Sequence, residues 1–405
     1  MKTDRYTDKE TQVPARLLDV TRLVSRIGRT PTGIDRVERA WLERLLEGDV
    51  PALGLLRTPY GFLLLDSGGL LLLRSGLEGG EWGQPDLLSD MAFMRPRNVR
   101  AMESSLRRAA VGRAIHQRLG KMLRDHLPPG TVSYNVGHSN LSENLMKAVK
   151  SVTGLRSIVM IHDTIPLDHP SFQRIGTAWS FAARFRAAVR HADVIICPSC
   201  SACRDVNRHV DNRFQGPRIV VAPLGVSVAE ARPDELPVGL PPMPPYFVAL
   251  GTIEPRKNHA LLLDVWDSFG ESAPRLLICG SRGWRNSAIL ARLDRGHPQV
   301  QEVAGLSDGA IAALLDGASA LLFPSFTEGY GLPLVEALAR GTPVICSDLP
   351  VCREVAGDAA TYLDPRDRDE WKRAVLHAAT SGLPRKRVSV PDWEAHFKTA
   401  LSMSW

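Results

Sequence analysis

Two glutamates with seven residues between them, Glu328 and Glu336, bracket the segment Glu-Gly-Tyr-Gly-Leu-Pro-Leu-Val-Glu. Gly329 and Gly331 would let the backbone come close to a ligand, and Pro333 suits the first turn of a helix. The amides around Gly331 and Leu332 would then sit at a helix N-terminus, where the dipole favours a phosphate. Glu336, one turn further in, could accept hydrogen bonds from the vicinal hydroxyls of a sugar. Alone, a Gly-x-Gly is a turn and a glutamate is a surface charge. Placed after the strand-like run Ala320–Phe323, the combination reads as a ligand loop.

Arg256 and Lys257 lie where a helix is expected to begin. Cations there oppose the helix dipole, so they call for an anionic partner such as a diphosphate leaving group. The plainer reading is an exposed basic pair. His162 follows the strand-like run Ser157–Ile161 and precedes Asp163. A lone histidine is ordinarily a structural one; a place opposite the Glu328 loop makes His162 a candidate for the reaction centre.

Cys197, Cys200 and Cys203 are spaced as in part of an iron–sulfur pattern, but the usual fourth cysteine is missing. Cys279, Cys346 and Cys352 read as small buried residues, and no disulfides are expected. The one Asp-x-Asp, Asp367-Arg-Asp369, reads as a charge cluster at a helix start. No metal is expected; Arg256, Lys257 and helix dipoles would supply the electrostatics instead.

The elements that must position these residues alternate. Arg16–Val20 is strand-like, the loop Gly28–Gly33 follows, and Ile34–Leu46 has helical spacing. Residues 50–75 read as a hairpin or meander, 76–105 as an irregular loop, and 105–127 as a basic amphipathic helix. From Thr131 onward strands and helices alternate regularly, which implies parallel sheets covered on both faces. Residues 229–246 hold six prolines and no periodicity, so they read as a linker. The alternation then restarts and runs to about residue 380. Pro391–Trp405 is an amphipathic helix with Trp393, Phe397 and Leu401 on one face. Ligands in such folds bind at the carboxyl ends of the strands, where all the candidates above lie.

The chain has 405 residues, 44% of them hydrophobic and 23% charged, enough for two or three domains with substantial cores. The net charge of +6 is unevenly spread. Residues 1–240 carry 33 basic and 25 acidic side chains; residues 241–405 carry 17 and 19. A basic half suits anionic lipid or another anionic partner, and suits equally a solvated Arg-rich surface. No apolar run reaches the ~18 residues of a membrane helix, and the polar N-terminus is unlike a secretory signal, so a cytoplasmic location is expected. The basic half lacks interleaved aromatics, which argues against nucleic acid.

The segments Gly251–Asn258, Gly280–Trp284 and Glu328-x7-Glu336, with Pro324-Ser325 ahead and Gly341-Thr-Pro-Val344 behind, resemble the retaining glycosyltransferases of family 4. The resemblance runs over about residues 131–380, is weaker before residue 60 and absent over 60–130. It implies an α/β GT-B fold: two Rossmann-like doubly wound domains facing a cleft, with a C-terminal helix crossing back. Residues 1–235 plus 386–405 would bind acceptor, and residues 236–385 a nucleotide-diphospho-sugar, GDP- or UDP-linked. The resemblance further implies that Glu336 holds the ribose. Glu328 and the Gly329, Tyr330, Gly331 and Leu332 backbone would meet sugar and phosphates, and Gly251 and Thr252 would form the first phosphate loop. Arg256 and Lys257 would stabilise the diphosphate, Val303 and Leu306 would flank the base, Gly33 would approach the phosphates, and His162 would lie beside the reaction centre. Many members have Arg where this chain has Thr252, which shifts weight to Arg256 and Lys257. The variant Gly-Thr-x-Glu-Pro-Arg-Lys-Asn is similar to bacterial polysaccharide mannosyltransferases. The acceptor would be a glycan or lipid-linked glycan at the inner face of the inner membrane, with peripheral contact to anionic lipid and no cofactor beyond the donor. The alternatives are a GT-B nucleotide-sugar epimerase or hydrolase, and an inactive sugar-nucleotide-binding scaffold.

Overall fold

The computed structural model describes residues 13–29, 31–210 and 216–402. The polar N-terminal stretch, Thr30 of the glycine loop and the end of the expected terminal helix lie outside the described residues. Two sheets organise the chain. The first contains β1 (Arg16–Asp19), β2 (Ala52–Thr58), β3 (Gly61–Leu65), β4 (Gly112–Ala114), β5 (Val132–Asn135), β6 (Arg156–Met160), β7 (Val194–Cys197) and β8 (Arg218–Val221). Its order is β4-β3-β2-β1-β5-β6-β7-β8. The strands are parallel except where β3 pairs antiparallel with β2 and β4. The second sheet contains β9 (Tyr246–Leu250), β10 (Arg275–Cys279), β11 (Val300–Val303), β12 (Ala320–Phe323), β13 (Val344–Ser347) and β14 (Thr361–Leu363). Its order is β11-β10-β9-β12-β13-β14, parallel throughout.

The second sheet forms because its strands are almost wholly apolar. YFVAL, ALLF and VICS are buried at every position, which suits a sheet covered by helices on both faces. Trp266 and Trp371 fill one side of it, and Leu314, Leu334 and Leu338 the other. In each sheet the chain lays strands to one side of its first strand and then crosses to the other. The switch points are β1/β5 and β9/β12. Ligand crevices open at such points, beyond the strand carboxyl ends.

Three local expectations are corrected. The Leu70–Leu73 run belongs to a helix, Ser67–Leu77, whose Leu70 and Leu73 pack onto the first sheet. Residues 76–105 contain helix Leu87–Met91 and most of helix Arg97–Ala109. Residues 105–127 are divided by β4 before helix Leu119–His126. The sequence hid the Arg97–Ala109 helix because its buried face includes Glu103, Ser104, Ser105 and Arg107. Asp86 and Ser89 take up Arg107, which is how so polar a face is satisfied.

The helix Trp393–Leu401 crosses back to the first sheet. Phe397, Ala400 and Leu401 join the core that contains Trp41 and Leu42, and the Phe397 and Trp41 rings meet edge-on at 5.3 Å. The returning chain is also held by Val226 N–H to the Pro391 carbonyl at 2.9–3.0 Å spacing typical of backbone pairing. Truncating this anchor opens a cavity. Phe397→Ala is expected to destabilise the first unit by about 3–5 kcal/mol. Urea denaturation followed by circular dichroism would show an earlier first transition; an unchanged midpoint would refute the anchoring role.

Candidate active site

The β9/β12 switch point holds a compact charged cluster. The chain leaves β9 at Gly251, passes Thr252 and makes a short turn, Pro255–Lys257, before helix His259–Asp267. Arg256 and Lys257 therefore lie in a turn ahead of the helix and not in its first turn. Opposite, the chain leaves β12 through Ser325 and Glu328. The Glu328 carboxylate sits between both cations: Oε2 is 2.6 Å from Arg256 Nη1, and Oε1 is 2.6 Å from Lys257 Nζ. The Ser325 hydroxyl donates to Oε1 at 2.7 Å. Arg256 Nε also pairs with Glu254 at 2.6 Å, and Lys257 Nζ lies 4.6 Å from the centre of the Phe323 ring. Gly251 packs beside the Lys257 stem.

Burial opposes ionisation of Glu328, but the Arg256 and Lys257 charges with their hydrogen bonds hold it down to about 2. Burial pushes Lys257 down, against the pull of Glu328. Asp163 is driven up to about 6 by burial, with Arg256 pulling the other way.

The loop beyond Glu328 crosses to the first unit. A side chain on Gly329 would meet the His162 carbonyl oxygen at 2.5 Å and the Asp163 Cβ at 2.9 Å, so only glycine passes there. Ser199 donates to the Gly329 carbonyl at 2.9 Å. Tyr330 turns its ring into the first unit's core and donates to the Leu224 carbonyl at 3.0 Å. Gly331 has a φ of 90° and caps helix Leu332–Arg340, with proline in its first turn. Further along, Glu354 accepts from the Cys200 and Ser201 amides, the start of a helix in the first unit.

His162 is buried, and its Nε2 lies 2.7 Å from the Val136 carbonyl oxygen. A carbonyl only accepts, so Nε2 carries the proton and Nδ1 is the free nitrogen. Burial pushes the ring down to about 4, so it is neutral at pH 7. Its backbone, more than its ring, meets the Glu328 loop.

A second group forms around Glu336. A cavity of about 640 Å³ is lined by Gly28, Asp35, Arg36, Asp308, Leu332 and Glu336. Gly33 faces the Leu332 side chain from the other unit. Glu336 is not vacant: Arg36, one turn into helix Gly33–Glu47, pairs with both Glu336 and Asp308. Asp35 fixes that helix start by accepting from the Thr32 amide and from Arg22 and Arg26, each at 2.7 Å. Val303 and Leu306 follow β11 and pack against the second sheet's core. The candidates thus fall into an Arg256–Lys257–Glu328 cluster and a Glu336–Leu332–Gly33 cavity, which the Gly329–Gly331 loop joins.

Arg36, Asp163, Glu254, Ser325 and Glu354 act in this arrangement without having stood out as site residues in the sequence. Asp163 was adjacent to a candidate, and Glu254 and Ser325 lay inside quoted motifs; nothing in sequence pointed Arg36 at a residue 300 positions away. Asp367 accepts from the Glu370 amide at 2.9 Å and caps helix Arg368–Thr380. Among the described residues, no three His, Cys, Asp or Glu side chains are grouped to hold a metal.

Removing the Glu328 charge leaves two buried cations with less compensation. Glu328→Gln is expected to lower stability by roughly 3–5 kcal/mol. The wild-type carboxyl titrates lower in the fold than when unfolded, so its contribution is present above pH ~4.5 and lost as pH falls towards 2. Thermal melts between pH 7 and 3 should show the variant lacking that part of the acid loss; parallel curves would refute it.

Comparison with known proteins places these features. Residues 234–389 match the family described as Glycosyl transferases group 1. The chain is 32% identical over 246 residues to the serotype-specific mannosyltransferase WbdA of Escherichia coli, covering 55% of this chain and 29% of that protein. It is 34% identical over 138 residues to the O-antigen chain mannosyltransferase B of Escherichia coli, covering 33% of this chain and 36% of that protein. The chain therefore spans about a third of the length of these curated relatives. The crystal structure of Anabaena Alr3699/HepE in complex with UDP-glucose superposes with a TM-score of 0.61 at 12% identity, covering 96% of this chain and 92% of that one. At that identity the likeness concerns the fold, which is GT-B: two Rossmann-like units facing a cleft, with a C-terminal helix returning to the first.

Proposed function

We propose that the protein is a retaining glycosyltransferase that moves a hexose, mannose in the first instance, from GDP-mannose to a glycan or lipid-linked glycan of a bacterial surface polysaccharide. One observation carries the reading: Arg256 and Lys257, fixed by a single carboxylate at the β9/β12 switch point beside the start of helix Leu332–Arg340. Two cations and a helix N-terminus suit a diphosphate whose charge grows as it leaves. The mannosyltransferase names of the relatives support the sugar, and the match to residues 234–389 supports the donor unit.

In this reading the ribose hydroxyls bind Glu336 and displace Arg36 from it. Glu328 orients the cations and meets the sugar. Its oxygens are engaged by Arg256, Lys257 and Ser325, which leaves it poorly disposed to attack an anomeric carbon. Retention then follows from attack on the face the diphosphate leaves: the C1–phosphate bond breaks, the acceptor oxygen bonds to C1, and its proton passes to the departing phosphate. Arg256, Lys257 and helix dipoles serve in place of a metal ion. The neutral His162 ring lines the reaction centre. The enzyme would work in the cytoplasm, peripherally at the inner face of the inner membrane. No helix among the described residues is long and apolar enough to cross a membrane.

Thermal-shift titration with GDP- and UDP-sugars tests the donor. GDP-mannose at a hundred times its Kd should stabilise the protein by ~2.7 kcal/mol; a shift with UDP-sugars alone would overturn the donor. Lys257→Ala should lower turnover roughly 10²–10³-fold and His162→Ala roughly 10–10³-fold. Wild-type turnover in either variant would remove that residue from the mechanism. The product's anomeric configuration, read by NMR, decides retention.

A further inference from the structure

The β1/β5 switch point of the first sheet has its own cavity, of about 530 Å³. Thr21 follows β1, Thr58 ends β2, and Asn140 follows β5, so the cavity opens at the strand carboxyl ends, as the donor cluster does in the second sheet. Its lining includes Arg57, Arg95, Arg184 and His116 and no carboxylate. Arg184 is half-buried and bonds the His138 carbonyl and the Ser180 hydroxyl, both at 3.2 Å; neither it nor Arg57 forms an ion pair among the described residues. Gathering cations in a concave, carboxylate-free site suits a phosphate.

A neighbouring segment is inside-out with respect to water. Helix Leu87–Met91 turns Ser89 inward, and Asp86 and Asp90 bind Arg107 and Arg100. Its apolar side chains point outward: Leu87 is 87% exposed, Met91 66%, Phe93 79% and Met94 89%. Large apolar side chains clustered on the surface mark a contact with an apolar partner. Arg95, the residue after Met94, lines the cavity, and Arg97 and Arg100 flank the patch. An apolar lip edged by arginines fits an anionic bilayer, with side chains among acyl chains and guanidiniums at the headgroups.

We propose that Leu87, Met91, Phe93 and Met94 seat the first unit in an anionic bilayer while Arg57, Arg184 and Arg95 hold the phosphate of a lipid-borne acceptor in the adjoining cavity. This rests on the transferase reading for the word acceptor; the lipid and phosphate binding do not depend on it. The phosphate would stay fixed at β1/β5 as the glycan it carries reaches towards the Arg256–Lys257 cluster.

Flotation with phosphatidylglycerol/phosphatidylcholine vesicles tests the lip, and calorimetry with glycerol 3-phosphate tests the cavity. Wild type should float with the anionic vesicles. Phe93→Ser/Met94→Ser should weaken that at least about tenfold and leave glycerol 3-phosphate binding intact. Arg57→Ala, at an exposed position, should weaken glycerol 3-phosphate binding about tenfold. Vesicle binding unchanged in the double variant, or glycerol 3-phosphate binding unchanged in Arg57→Ala, overturns the proposal. Phosphate binding without vesicle binding assigns the cavity to a soluble phosphate and overturns the lipid source. A dimer in sedimentation that the double variant abolishes assigns the lip to a second copy. The GDP-mannose thermal shift separates the two readings: if it is present while the lipid results fail, this proposal falls alone, and if it is absent while they hold, the donor reading falls.

Discussion

One carboxylate, Glu328, organises the second unit's ligand end. It gathers Arg256 and Lys257 from the loop after β9 and is itself fixed by Ser325 from the loop after β12. Two buried cations would repel each other and lose hydration; a shared anion makes the pair tolerable and sets its geometry. The loop that carries Glu328 also carries Gly329 and Tyr330, which enter the first unit. The charge cluster and the contact between units are thus parts of one segment.

The two units meet through different kinds of contact. Tyr330 sits in the first unit's core, and Phe172 of the first unit stacks on Phe326 of the second at 5.7 Å. The pairing of Arg36 with Glu336 and Asp308 is polar and half-exposed, as is that of Glu354 with the amides of Cys200 and Ser201. Pairs of that second kind exchange readily for water or ligand, because desolvation and side-chain entropy nearly offset their attraction. A cleft between such units can be held at one edge and opened at another, which transfer chemistry that excludes water requires.

Much of the second unit was legible. Its strands are short apolar runs because helices cover both faces, and its post-strand loops carry glycine, proline and charge at positions a ligand loop needs. The first unit was harder to read. Four consecutive leucines at 70–73 look like a strand, yet form a helix because Leu70 and Leu73 have the first sheet to pack on while Leu71 and Leu72 stay outside. Helix Arg97–Ala109 buries glutamate, serine and arginine, so its periodicity is masked by partners elsewhere in the chain. β14 has three residues, too few for a pattern.

Sequence alone determined the alternation of strand and helix, the two-sheet architecture with its returning helix, and the identity of Glu328, Glu336, Arg256, Lys257 and His162 as residues at strand ends. These follow from local periodicity and from residue chemistry, which are properties of neighbouring positions. Only the tertiary structure decided which charges meet. Glu328 is shared by two cations about 70 positions away, Glu336 is taken by Arg36 from the other unit, and the His162 ring is neutral and tied to Val136. Coulomb energy and desolvation depend on distance and burial in space, and neither is encoded at any one position of the chain.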